Sequence, residues 1–186
     1  MNMLMAFAPF AAFALLERML GMHTALLAAT GVSAFLIFRE TIIGKKGLKP
    51  LEAVSLVMFG ALAILAKRSE LHLTVITVRL IVDAGLLAFV VLSLLIGKPF
   101  TLAYAKDKVS AQVAESKRFR AMNGWLSALW GLAFAVVVAA DGAMVYVANF
   151  TVMDGTIAIV SALGAAALFS TVLPKMMAPK HTQVAY

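Results

Sequence analysis

The sequence predicts an all-α, polytopic transmembrane bundle of six helices. Three observations carry that expectation: an excess of apolar residues, long apolar segments, and basic residues gathered in alternate connections. Of 186 residues, 63% are hydrophobic and 13% charged, whereas an ordinary soluble domain is about half apolar and about a quarter charged. Mean hydropathy is +0.97. The surface of a small soluble domain must be largely wetted, so it has no place to hide this much apolar area. Hydrocarbon is the matching solvent, and one membrane domain over 1–186 is expected, with no separate soluble module.

The apolar segments cover 3–20, 22–38, 51–66, 71–96, 124–150 and 156–173. A span needs about 20 residues at 1.5 Å rise to cross roughly 30 Å of hydrocarbon. The fourth and fifth pass easily and the sixth is adequate. The first three are short, and the first also contains Pro9 and ends near Glu17 and Arg18. The first two fit either two thin spans that borrow flanking residues or a shallow hairpin that enters and leaves by one face. A hairpin needs protein around its exposed backbone, which favours two spans. If the first segment lies flat, the bundle has five helices and the N-terminus changes sides. In the third, Glu52 follows Pro50 and reads as a first-turn acid facing the helix dipole. Trp125 reads as an interfacial anchor of the fifth and Trp130 as a deeper packing residue. The Ala/Gly-rich stretches 131–143 and 162–167 are expected to be close-packing faces.

Loop charge sets the orientation. Arg39, Lys45, Lys46 and Lys49 lie between segments two and three, and Lys98, Lys106, Lys108, Lys117, Arg118 and Arg120 between four and five. Lys175 and Lys180 follow segment six, so these loops hold twelve of the sixteen basic residues. The alternate connections hold only Arg18, Lys67 and Arg68. That is a positive-inside pattern for a multi-pass membrane protein, with both termini cytoplasmic if all six segments span. No cleavable signal peptide is expected, because Met1 to Leu16 carries no basic residue before its apolar run.

The cytoplasmic loop 97–123 is the only long connection. Leu102, Ala105, Val109 and Val113 fall at i, i+3, i+7 and i+11, which suits a short helix at the membrane surface; a solvated linker is the alternative. Lys98, Tyr104 and Lys106 are candidate contacts for lipid head groups. The net charge of +7 fits such loops against anionic lipid better than it fits nucleic acid.

Several chemistries are excluded or unsupported. The chain has no cysteine, which removes disulfides, thiolate metal sites and cysteine nucleophiles. It has no Gly-rich phosphate loop, no H-E-x-x-H pair and no G-x-S-x-G elbow, so an enzyme is not expected. His23 and His72 lack a third metal ligand at a recognised spacing, and the methionines near the start read as lipid-facing. No cofactor is implied.

What remains is a set of intramembrane ionisable residues. His72, Arg79 and Asp83 fall at i, i+7 and i+11 on one helical face. Arg79 and Asp83 are one turn apart and can pair within the helix. Asp141, in segment five, is expected at comparable depth. An unpaired charge there is expensive, so these groups should face the bundle or a wet cavity. Arg79 is expected to bridge Asp83 and Asp141, either as a structural clamp or as part of a transport path.

Phe7-Ala8-Pro9-Phe10, Phe59-Gly60, Gly97-Lys98-Pro99-Phe100 and Trp130-Gly131-Leu132-Ala133-Phe134 occur in an order that resembles the bacterial intracellular septation protein A family or a sister family of it. The resemblance implies a small inner-membrane protein of the cell envelope, acting in septation or cell division through contacts with other membrane proteins or lipid. It supplies no catalytic residues. The expected partners are the bilayer and other envelope or division membrane proteins, with a homo-oligomer left open; nucleic acid is not expected.

Overall fold

The computed structural model describes residues 3–45, 47–68 and 74–176, and within them every regular element is helical. A 3-10 turn (Met3–Phe7) leads into α1 (Ala8–Leu20). α2 (Met22–Phe38) ends in a π turn (Arg39–Ile43), and α3 covers Pro50–Lys67. α4 (Val75–Leu95) is followed by short α5 (Phe100–Ala105), a 3-10 turn (Lys106–Lys108) and short α6 (Ala111–Ala114). α7 (Lys117–Tyr146) and α8 (Val152–Met176) complete the chain. Six helices are long and apolar enough to cross a bilayer: the first turn with α1, α2 with its π turn, then α3, α4, α7 and α8. The architecture is that of a multi-pass membrane protein. Large apolar side chains such as Leu15, Val57, Leu132 and Val160 stand on its outer surface, where hydrocarbon solvates them at no cost.

Backbone chemistry sets the ends of these helices. Gly21 alone separates α1 from α2, at φ 81°, a conformation that costs other residues a Cβ clash. α4 stops at Gly97, φ 71°, whose N–H donates to the Leu94 carbonyl at 2.9 Å. The Lys98 N–H donates to the Ser93 carbonyl at 2.9 Å, completing a Schellman cap, and Pro99 follows with no N–H to continue the helix. Pro50 opens α3, where a missing N–H leaves nothing unsatisfied.

Three differences from the sequence expectations stand out. The second span is longer than 22–38, because the π turn carries it through Arg39 and Glu40 to Ile43. α7 begins at Lys117, not near 124, so part of the expected loop is helix. The rest of that loop is not one surface helix: Val109 is extended (φ −133°, ψ 162°) and divides it. Its inward face is Phe100, Thr101 and Tyr104 instead of Leu102, Ala105, Val109 and Val113. Trp125 is 71% exposed and Trp130 buried, as their positions in segment five suggest.

The helices form two groups. α1 packs along α2 and α2 along α3; α4 packs along α7 and α7 along α8. Small residues permit the second group: a Cβ at Gly131 of α7 would lie 3.3 Å from Val90 of α4, and Ala133, Ala140 and Ala166 are buried. The two groups meet through α3 and α4 and through a run of rings. Phe7 stacks on Trp130 at 4.7 Å and touches Phe10 at 6.1 Å. Phe10 meets Phe59 of α3 at 5.0 Å, and Phe59 meets Phe13 at 5.8 Å. Phe59 is fully buried while Leu132 is 64% exposed. Replacing Phe59 with Ala should lower stability by about 3 kcal/mol through the cavity it leaves, read as a lower unfolding temperature in detergent. Leu132→Ala should leave that temperature nearly unchanged.

Candidate functional site

α1, α4 and α7 converge near the membrane face opposite the basic loops. Arg79 Nη2 of α4 lies 3.4 Å from Asp141 Oδ1 of α7. Asp141 is fully buried, and its Oδ2 has no hydrogen-bond partner among the described residues. Asp83, one turn along α4 from Arg79, interacts with both Asp141 and Arg79. Glu17 of α1 also interacts with Arg79 and Asp141, and its Oε2 is buried without a partner. Helix geometry sets the depth. Asp83 is eight residues from Val75, roughly 12 Å along α4, and Asp141 five from Tyr146, about 7.5 Å along α7.

The expected bridge is present in altered form. At ion-pair distance Arg79 meets Asp141, across two helices, and not Asp83 within its own. Glu17 is an addition, since the sequence suggested only a helix-end marker. His72 lies outside the described residues. The arrangement thus holds three carboxyls against one guanidinium, with exposed Arg18 beside Glu17.

A cleft of about 560 Å³ reaches this cluster. Arg79 and Asp83 line one end; Phe7, Phe10, Trp130 and Phe134 form an aromatic wall. Ala11 and Ala14 of α1 and Val160 and Gly164 of α8, all on the outer surfaces of their helices, border it. The cleft therefore runs along the seam between α1 and α8, and its walls are apolar apart from the charged end.

A second cavity of about 560 Å³ lies toward the basic loops, lined by Thr101, Tyr104, Lys108, Asn123 and Ser170. Leu4 of the first turn lines both cavities. Here α5 is pinned to α7: Thr101 Oγ1 donates to the Asn123 carbonyl at 2.8 Å and sits 2.9 Å from Ser127 Oγ. Asn123 Nδ2 donates to the Phe119 carbonyl at 2.9 Å. Trp130 Nε1 donates to Ser170 Oγ of α8 at 2.9 Å. Beside them Lys49, itself buried, donates to the Ala103 carbonyl at 2.7 Å, pairs with Asp107 and lies 5.7 Å over the Tyr104 ring.

The three candidate head-group contacts separate. Lys98 and Lys106 are exposed on the basic side. Tyr104 is a correction: it is only 2% exposed, held inward beneath Lys49, so its side chain does not reach lipid head groups. Glu52 occupies the first turn of α3 as expected, but it is fully buried near Glu40, with neither oxygen hydrogen-bonded among the described residues.

Compared with protein-family models, curated proteins and solved structures, the chain matches none.

Burial, reinforced by the negative charge of Glu52, pushes the Tyr104 phenol above its ordinary value of 10.0. A group whose folded value is raised contributes stability that is complete below the unfolded value and is lost as pH rises past it. The protein should therefore lose stability above about pH 10. Tyr104→Phe should flatten that alkaline decline in an unfolding-versus-pH series.

Proposed function

We propose that this chain is a non-enzymatic carrier of the bacterial inner membrane that takes an amphiphilic molecule from the bilayer into the cleft between α1 and α8. The observation that carries the reading is that the cleft reaches Arg79 and Asp83. A purely structural clamp would be walled off, because charges at this depth are stabilised by a dry enclosure of partners. The apolar walls suit the body of an amphiphile and the charged end its polar group. Leu4, shared by the two cavities, stands between the cleft and the cavity on the basic side. Its position suits the barrier of a pathway.

The basic loops support a topology with both ends of the chain cytoplasmic. A reporter fused after Tyr186 that is active only in the cytoplasm should then give full signal, and one active only outside should give none.

A second reading, a role in septation or envelope maintenance by lateral contact with lipid or division proteins, draws on the family resemblance. The residues carrying that resemblance are packing and capping residues here: Phe7 and Phe10 in the ring run, Gly97-Lys98-Pro99 in a helix cap, Trp130 against Phe7. They support a shared fold more than a shared task.

The absence of native cysteine makes the test direct. Single cysteines at 79 and 83 should react with a membrane-impermeant thiol reagent applied from the side opposite the basic loops. A cysteine at 141, behind Arg79, should be protected. Protection of all three in folded protein would sink the carrier reading and leave the cluster as a clamp.

A further inference from the structure

The charge balance of the cleft specifies what kind of amphiphile it takes. Arg79 and Asp83 line the cleft, while Asp141 and Glu17, outside its lining, each interact with Arg79, so acids outnumber bases around it even when exposed Arg18 is counted. Arg79 is already committed to Asp141 at 3.4 Å. Asp83 lines the cleft and makes no ion pair at contact distance among the described residues. Behind it, Asp141 is fully buried against the Asp83 carboxyl. A positive group entering the cleft offsets this excess, whereas a negative group adds to it at a depth where water cannot screen the repulsion.

The remaining walls agree. Phe7, Phe10, Trp130 and Phe134 present ring surface to the cleft, and aromatic faces attract cations, more so when water is excluded. A volume of about 560 Å³ falls within the range of small-molecule sites. A metal ion is not the cation in question: among the described residues no three carboxylates or histidines converge closely enough to hold one.

We infer that the cleft binds hydrophobic organic cations, amines or quaternary onium compounds, with Asp83 facing the positive centre and the aromatic wall enclosing the apolar body. This rests on the proposal that the cleft takes an amphiphile, and adds the sign of its charge.

The test uses two probes of similar size and opposite charge, tetraphenylphosphonium and tetraphenylborate, titrated into the full-length protein in lipid nanodiscs with binding measured calorimetrically. Tetraphenylphosphonium should bind and tetraphenylborate should not. Asp83→Asn should weaken phosphonium binding roughly tenfold or more, as expected for losing a charged partner, while Asp83→Glu retains it. Gly164 borders the cleft, and a side chain there would enter open space. Gly164→Phe should therefore block binding without disturbing the charges, and an unchanged unfolding temperature for that variant shows that the fold has survived. Borate binding that Gly164→Phe abolishes would overturn the cation inference and leave the amphiphile cleft standing, Arg79 then being the selecting group. Phosphonium binding unaffected by Asp83→Asn would also overturn it. Binding of neither probe would overturn both readings.

Discussion

In hydrocarbon, apolar helix surface has no preference for another helix over a lipid tail, so two groups of three helices need a specific reason to stay together. The run of rings from Trp130 through Phe7, Phe10 and Phe59 to Phe13 provides it. Three of its five members come from the first turn and α1, so the N-terminal segment is wedged between α7 and α3. Flat rings suit this position because they cover much area while losing few rotamers. Both cavities are bounded by the same wedge, through Leu4, and the cleft takes its aromatic wall from it. If the seam is disturbed, the ion cluster loses its geometry as well, since Glu17 rides on the same helix.

Polar groups appear as two separate joints at opposite ends of the bundle. Near one face, Glu17, Arg79, Asp83 and Asp141 link α1, α4 and α7. Near the other, Lys49, Asp107, Tyr104, Thr101, Asn123 and Ser127 tie α5 to α7 and to the start of α3. The second joint is closely hydrogen-bonded, although Tyr104 Oη and Asn123 Oδ1 have no hydrogen-bond partner among the described residues. The first leaves carboxyl oxygens of Glu17 and Asp141 unpartnered beside an open cleft. The two joints differ in charge: the first gathers three carboxyls around Arg79, whereas the second pairs Lys49 with Asp107.

Much of the fold was legible in the sequence, for a definite reason. Apolar runs mark where the chain meets hydrocarbon, so six spans could be counted. They do not mark where helices end, which is why α7 extends back through Arg118 and Arg120 into residues that look like loop. α5 was hidden because Thr101 is buried on account of Asn123 and Ser127, partners more than twenty residues away that no local periodicity reveals. Tyr104 looked like a head-group contact for the same reason: the side chain above it, Lys49, belongs to another loop. Arg79, Asp83 and Asp141 were visible as isolated charges in apolar surroundings. Glu17 was not, because whether an acid near a helix end turns inward depends on how α1 is rotated against α4 and α7.

The single-residue connection at Gly21 bears on how this protein is made and recognised. With no loop between them, α1 and α2 have no stretch of chain to thread across on its own; they must enter the bilayer together as a closed hairpin, each satisfying its own backbone. After assembly that corner is a single exposed glycine flanked by the exposed side chains of Arg18, Met19 and Leu20. An antibody, a protease or a binding partner approaching from that side meets the ends of two helices, with no extended loop to grip.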